Sequence, residues 1–402
     1  MDYRIRALMG LQGLELVTVV EHYPNVFLYV IPRRKTANCP TCSYRSAKVH
    51  ELRPLQIIQH YRVGRKQTYL VTGKRRFFCT YCHKPFSETV PGVKPWGRKT
   101  EGVDEDIVEL LKEASFAGVK RRLGVAYRAQ VQLLKQVMKP FTANWQWEEK
   151  HQGKFALGID EHSFSGHDMV MTITNLTAPR LVSILPDDRQ TTLNQFLSQL
   201  PVLVKEKIGA VAIDMCQSYR SSIHQCLPQA AIVLDQFHVI ADANKRIDEE
   251  RRILQNVFSW NIPKKLFLKN KEHLKTEELK VLQSWFAKLP DLHFYWHVKE
   301  TLRSVYHLSS QQEAREKLTT LIKSMWAEKD RGLSQWASTL ESWSQEILNF
   351  FEWRITNAYT EGIHTKCKLI KRLGFGFRNK EVYIRKVALA CLPLTFLPHF
   401  LH

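Results

Sequence analysis

Apolar side chains along this chain fall into successive regimes. Residues 14–20, 26–31 and 67–78 are β-rich runs separated by turns, and predict strands; the first two flank a turn at Tyr23-Pro24-Asn25. From residue 103 to 138 the apolar positions recur at helical spacing, predicting helices at 103–114, 116–123 and 127–138 with Gly124 interrupting them. From Phe155 the pattern changes again. Strands are predicted at 155–160, 169–176 and 180–185, then an amphipathic helix over 191–208 with Leu193, Phe196, Leu197, Leu200 and Val204 on one face. A strand at 210–214, a helix at 219–226 and a strand at 231–235 follow. Residues 241–350 lose the β signal and carry Trp260, Trp285, Trp296, Trp326, Trp336 and Trp343, which implies a packed helical domain rather than a linker.

Three of the predicted strands finish on an aspartate: Asp160, Asp214 and Asp235. A buried strand is apolar throughout, and charge belongs only where it reaches solvent. Three such strands in one sheet would gather acids at one edge, which is how a divalent-metal site is made. The order of three strands, helix, strand, helix, strand matches an RNase H-like fold, in which the first and fourth strands are neighbours. Asp160 and Asp214 are therefore expected side by side. Glu161, next to Asp160, is expected on the other side of its strand.

The expected fold class is multidomain α+β: an N-terminal zinc ribbon, a helix-turn-helix, and an RNase H-like α/β catalytic domain interrupted by an all-helical insertion. The expected boundaries are residues 1–95 for the zinc-ribbon DNA-binding domain and 96–150 for the helix-turn-helix and linker. The first part of the catalytic domain follows at 151–240, the helical insertion at 241–350, and the final helix with its C-terminal tail at 351–402.

The ribbon rests on Cys39-Pro-Thr-Cys42 and Cys79-Thr-Tyr-Cys82. Each pair can form a knuckle that offers two thiolates, and two knuckles complete one structural Zn²⁺ site. His50 and His83 are alternative ligands. The eight cysteines of this 402-residue chain do not read as a disulfide framework. Residues 1–6 have no apolar signal core behind them and residues 387–401 are interrupted by Pro393 and Pro398, so neither export nor a membrane span is expected.

Charge changes the picture further. The chain carries a net charge of +20. Residues 1–150 hold 26 Lys and Arg against 13 Asp and Glu, so most of the excess lies in the N-terminal third. A basic domain of this kind meets a polyanion. Arg62, Arg65, Lys66, Lys74, Arg75 and Arg76 crowd the cysteine module and are expected to contact phosphates. Lys120, Arg121 and Arg122 are expected near the DNA backbone, with Tyr127, Arg128 and Gln130 on the presumed recognition helix. Late in the chain, Glu361, Lys368 and Arg372 share a helical face, Asn357 is a plausible cap, and Arg378 follows in the glycine-permitted turn that ends the helix. A carboxylate followed by cations suits a metal ligand whose helix also grips a phosphate backbone.

These residues resemble a family. The two Cys-x-x-Cys pairs, Asp235-Gln-Phe-His238-Val, and Asn357-x-x-x-Glu361-Gly362 running into Gly376-Phe-Arg-Asn379 are similar to the ISL-three family of bacterial insertion-sequence transposases, over nearly the whole chain. The resemblance implies catalytic acids at Asp160, Asp214 and Glu361, with Asp235 and His238 as accessory residues. Where relatives often carry another small or polar residue after the second aspartate, this chain has Met215-Cys216-Gln217-Ser218. Two Mg²⁺ ions (or Mn²⁺) would be the cofactors: Asp160 bridging, Asp214 holding one and Glu361 the other, since hard oxygen ligands suit Mg²⁺. The implied partners are double-stranded DNA, as terminal inverted repeats and target, and further copies of the chain in a homodimer or larger assembly. The expected location is the bacterial cytoplasm, at the nucleoid. The non-enzymatic alternative is a zinc-containing DNA-binding regulator with an inactive nuclease-like domain, and a second is a stand-alone nuclease.

Overall fold

A computed structural model describes residues 9–138 and 145–391. The linker at 139–144, the first eight residues and the apolar tail beyond Cys391 lie outside the described residues. The chain divides into two compact units, Met1–Phe141 with Lys368–His402, and Thr142–Cys367. Among the described residues no helix is long and apolar enough to cross a membrane.

The first unit opens with β1 (Leu14–His22), β2 (Asn25–Pro32), β5 (Val49–Gln59) and β6 (Gln67–Phe78), ordered β1-β2-β6-β5, with β7 (Pro85–Ser87) on β6. Alternation sends Leu28, Val30, Ile58 and Leu70 into a small core. The short strands β3 (Ala37–Asn38) and β4 (Arg45–Ser46) pair around the first cysteine knuckle. Three helices follow: α1 (Glu101–Glu113), α2 (Phe116–Leu123) and α3 (Tyr127–Val137). Ser115 caps α2 by accepting from the Gly118 N–H, and Gly124 closes it in the left-handed conformation that a side chain would strain. Their buried face is Val103, Ile107, Leu111, Val119, Leu133 and Leu134. The last helix, α17 (Lys380–Cys391), which the sequence order groups with the catalytic domain, adds Val382 and Leu389 to this same core. Its consecutive apolar residues Val387, Ala388 and Leu389 say that it must be covered, not by what.

In the second unit, after the short α4 (Gln146–Lys150), come β8 (Phe155–Ser165), β9 (Asp168–Asn175) and β10 (Arg180–Leu185). The predicted helix over 191–208 is two helices, α5 (Gln190–Ser198) and α6 (Val202–Lys207), because Pro201 cannot supply an N–H to a continuing helix. Then β11 (Ile208–Ile213), α7 (Gln217–Cys226), β12 (Ala231–Leu234) and the long α8 (Gln236–Phe258) complete the sheet region. The strand order is β10-β9-β8-β11-β12, with β8, β9 and β10 antiparallel and β8, β11 and β12 parallel. Every residue of β11 is buried, as a parallel strand covered on both faces requires.

Helices α9 (Lys264–Leu268), α10 (Thr276–Lys288), α11 (Pro290–Tyr306), α12 (Gln311–Ala327), α13 (Arg331–Ser342), α14 (Ser344–Leu348) and α15 (Phe350–Trp353) form the insertion. Trp296, Trp336 and Trp343 are buried in a core continuous with that of the sheet, whereas Trp260 and Trp326 are exposed. Asn349 donates its side-chain amide to the Ile232 carbonyl at 2.8 Å, tying the insertion to β12. Helix α16 (Ala358–Leu373) then returns to the sheet.

Candidate active site

Register sets the level of the acids. Ala212 of β11 pairs with Gly158 of β8, and Ile213 pairs with Leu234 of β12. Continuing both ladders brings Asp160, Asp214 and Asp235 to one height at the ends of the three parallel strands. Asp214 and Asp235 stand one residue past their strands, while Asp160 lies within β8, which runs on to pair with β9.

Gly158 explains how α16 can approach. A Cβ there would stand 2.6–2.7 Å from Asn357 Oδ1, Thr174 Oγ1 and Thr360 Oγ1, so only glycine lets the helix lie against the strand. Asn357 stands at the cap position of α16, its carbonyl accepting from the Glu361 N–H at 2.9 Å, and being wholly buried it also clamps the sheet: its side-chain amide donates to the Ile159 carbonyl at 3.3 Å, and its backbone N–H donates to Asp235 Oδ1 at 3.4 Å.

One helical turn on, Glu361 joins Asp235 and His238: one ligand atom from each lies within 4.8 Å of the others. His238, in the first turn of α8, is the common neighbour of the acids. Burial pushes Asp160 up to about 7, with the His238 charge opposing and Glu161 and Asp214 reinforcing the rise. Burial likewise pushes Asp214 up to about 6, helped by Glu161 and Asp235 and opposed by His238. Asp235 is raised by burial, again against His238.

Three buried atoms in this neighbourhood lack hydrogen-bond partners: Asp214 Oδ1, Asp235 Oδ2 and His238 Nε2. Leaving such atoms unsatisfied is costly. A divalent cation between Asp235, His238 and Glu361 would satisfy Asp235 Oδ2 and His238 Nε2, and the donor set of carboxylates with one imidazole fits it. Asp160 and Asp214 feel the His238 charge but are not members of that three-residue cluster.

The sequence did not announce the residues behind the acids. Asp160 Oδ1 accepts from the Glu161 N–H at 2.9 Å, and His364 Nδ1 stands 3.4 Å from Asp160 Oδ2. His364 Nε2 lies 3.1 Å from the Thr172 hydroxyl, and His162 Nδ1 lies 3.2 Å from that same hydroxyl. Asp160, His162, Thr172 and His364 are all buried. Glu161 Oε2 accepts a hydrogen bond from the Tyr219 hydroxyl at 2.8 Å, which holds its carboxylate toward α7. The i+3 spacing of His364 from Glu361 was the available signal.

In the first unit, Cys39, Cys42, Cys79 and Cys82 gather within 4.8 Å, all as free thiols. Cys39 and Cys82 sulfurs are 3.6 Å apart, Cys42 and Cys79 sulfurs 3.5 Å. Thiolates 2.3 Å from a tetrahedral ion would be about 3.8 Å apart, so the cluster is of zinc size. The knuckles match: Ser43 donates to the Cys39 carbonyl and His83 to the Cys79 carbonyl, each residue at positive φ. His83 therefore serves a turn, and neither it nor His50 joins the cluster.

Of the expected DNA contacts, Lys120, Arg121, Arg122, Tyr127 and Arg128 are exposed around the α2–α3 turn, and Lys368, Arg372 and Arg378 are exposed as well. Arg62 is exposed and donates to the Arg122 and Arg65 carbonyls, with Arg65 beside it. Lys66 pairs with Glu21, Arg76 with Glu51 and Arg75 with the buried Glu88, while Lys74 is half-buried. Gln130 is a correction. It is fully buried, and its amide donates to the Phe116 and Val125 carbonyls, so it holds the turn and cannot face a groove.

A mixed sheet with acids at the ends of its parallel strands, preceded by a four-cysteine cluster of a size compatible with zinc, defines the broad class as a mixed α/β protein. The particular family follows from comparison: the chain belongs to the ISL-three family of transposases, whose model matches residues 157–387, more than half its length. It is 25% identical over 378 residues to the transposase for insertion sequence element IS1001 of Bordetella parapertussis, covering 90% of this chain and 91% of that one. It is also 25% identical over 374 residues to the transposase for insertion sequence element IS1557 of Mycobacterium tuberculosis, covering 83% of this chain and 80% of the relative.

Proposed function

We propose that the protein binds the terminal inverted repeats of an insertion sequence and catalyses DNA strand cleavage and strand transfer at an RNase H-like site. The observation that carries this reading is the set of orphaned buried atoms around His238, in a chain of a transposase family. The strand order β10-β9-β8-β11-β12, antiparallel then parallel, supports the RNase H-like description.

Asp160, Asp214 and Glu361 would hold two divalent ions, Mg²⁺ or Mn²⁺, with Asp235 and His238 accessory to them. Such ions supply activation of a water or 3′-hydroxyl and stabilisation of the departing oxygen. The chain's own part is to keep the acids desolvated and fixed before DNA arrives. Asn357 and the Glu161 N–H hold the Asp235 and Asp160 carboxylates, so little side-chain freedom remains to be lost on binding. The exposed cations at the α2–α3 turn would grip phosphates, with Tyr127 and Arg128 nearest the bases. The four cysteines would hold one Zn²⁺ that staples their module. Two ends must be held at once, so the working form would be a dimer or larger.

Replacing Asp214 by Asn tests the reading. End-binding should persist within about twofold while cleavage falls by at least about a thousandfold. End-binding by wild type and variant alike, with cleavage by neither, would leave the DNA-binding regulator in its stead, and cleavage by the wild type without joining would leave a nuclease.

A further inference from the structure

We infer that Asp235, His238 and Glu361 together form one of the two ion positions, and that its imidazole makes this position favour a first-row transition ion such as Mn²⁺ over Mg²⁺. The inference rests on the two-ion reading above and goes further by assigning a nitrogen ligand and a metal preference.

Geometry carries it. Asp235 Oδ2 and His238 Nε2 face each other at 3.9 Å, too far for a hydrogen bond, and both are buried without a partner. Two donors each about 2.1 Å from a shared ion stand about 3.0 Å apart when cis and about 4.2 Å when trans, so a separation of 3.9 Å is within the reach of one ion between them. Asp235 is 2% exposed, and its other oxygen is already taken by the Asn357 N–H, which leaves Oδ2 as the one atom to be satisfied. Glu361 completes the set within 4.8 Å from a different element. The three ligands thus come from the residue after β12, the first turn of α8 and the first turn of α16, so the site exists only when sheet and helix are docked. Gly158 and Asn357 are what dock them.

The chemistry sets the preference. Mg²⁺ takes hard oxygen donors and parts with water reluctantly. An imidazole nitrogen shifts the balance toward first-row transition ions.

The test is Mn²⁺ binding to the full-length, zinc-loaded protein without DNA, read by electron paramagnetic resonance. The bound ion should show spin-echo modulation from one directly coordinated ¹⁴N, a measurement on the wild type that needs no variant. His238→Gln and Asp235→Asn should each weaken Mn²⁺ binding by more than about tenfold, since even outer-shell changes cost about 10- to 100-fold. The nitrogen modulation should vanish in His238→Gln, and Mg²⁺ competition against Mn²⁺ should improve. Bound Mn²⁺ with no nitrogen coupling, or unchanged affinity in a folded His238→Gln, would overturn the assignment. Cleavage and joining by the wild type are scored separately. If DNA is cut but Mn²⁺ shows no nitrogen, only this inference fails; if nitrogen is seen and DNA is never cut, the transposase reading fails instead.

Discussion

At Asp214 the fold half-buries a carboxylate and leaves one of its oxygens without a partner, and that choice has a measurable consequence. Burial raises Asp214 to about 6 and Asp160 to about 7. Between the ordinary carboxylate range near pH 4 and those values, the folded chain holds protons that the unfolded chain has released. Stability of the metal-free protein should therefore fall as pH rises through this window. Asp214→Asn should remove part of that loss, raising the metal-free Tm at pH 8 by about 2–4 °C. Thermal scans at pH 4.5 and 8 check this, and a lower Tm for the variant at pH 8 would contradict it. Strand-end aspartates were legible because charge is rare at the end of an apolar run. His364, Thr172 and Tyr219 were not, since each looks like an ordinary helix or strand residue until a partner from elsewhere in the chain meets it. Gly158 likewise reads as a weak spot in a strand until Asn357 and Thr360 arrive.

Among elements, the best-forecast ones were those whose pattern is local. The run at 67–78 and the strand at 180–185 match β6 and β10, and α2 matches the helix at 116–123. The helix over 191–208 failed at Pro201, where a residue-level rule should have outweighed the apolar stripe. Gln130 failed for a different reason, because a polar residue on a helix can be spent on a buried carbonyl as readily as on a base. The cysteine knuckles are the element most dependent on something beyond the chain. Their buried neighbours are few, Phe77 and Phe86, so the small core cannot hold the module alone. Stripping zinc with a chelator should release four titratable thiols and unfold this module. The unfolding of Thr142–Cys367 should stay within about 2 °C of its starting point; calorimetry that finds both units melting together would refute separate modules.

At the scale of the whole molecule, a net charge of +20 is a statement about partners and salt rather than about fold. Six to ten phosphate contacts would cost about 10³–10⁵ in affinity between 50 and 200 mM salt. Fluorescence anisotropy on labelled inverted-repeat DNA should follow that steep dependence, and a flat response would remove the phosphate-contact account. The proposed acids come from β8, from the residue after β11 and from α16, some 200 residues apart along the chain, and the strand order, Gly158 and Asn357 are what dock α16 on the sheet that carries the other two. Crystals soaked in Mn²⁺ and measured at the manganese edge examine that arrangement most directly. Two anomalous peaks are predicted, one beside Asp160 and Asp214 and one among Asp235, His238 and Glu361; peaks away from these residues, or none in a folded protein, would contradict the account.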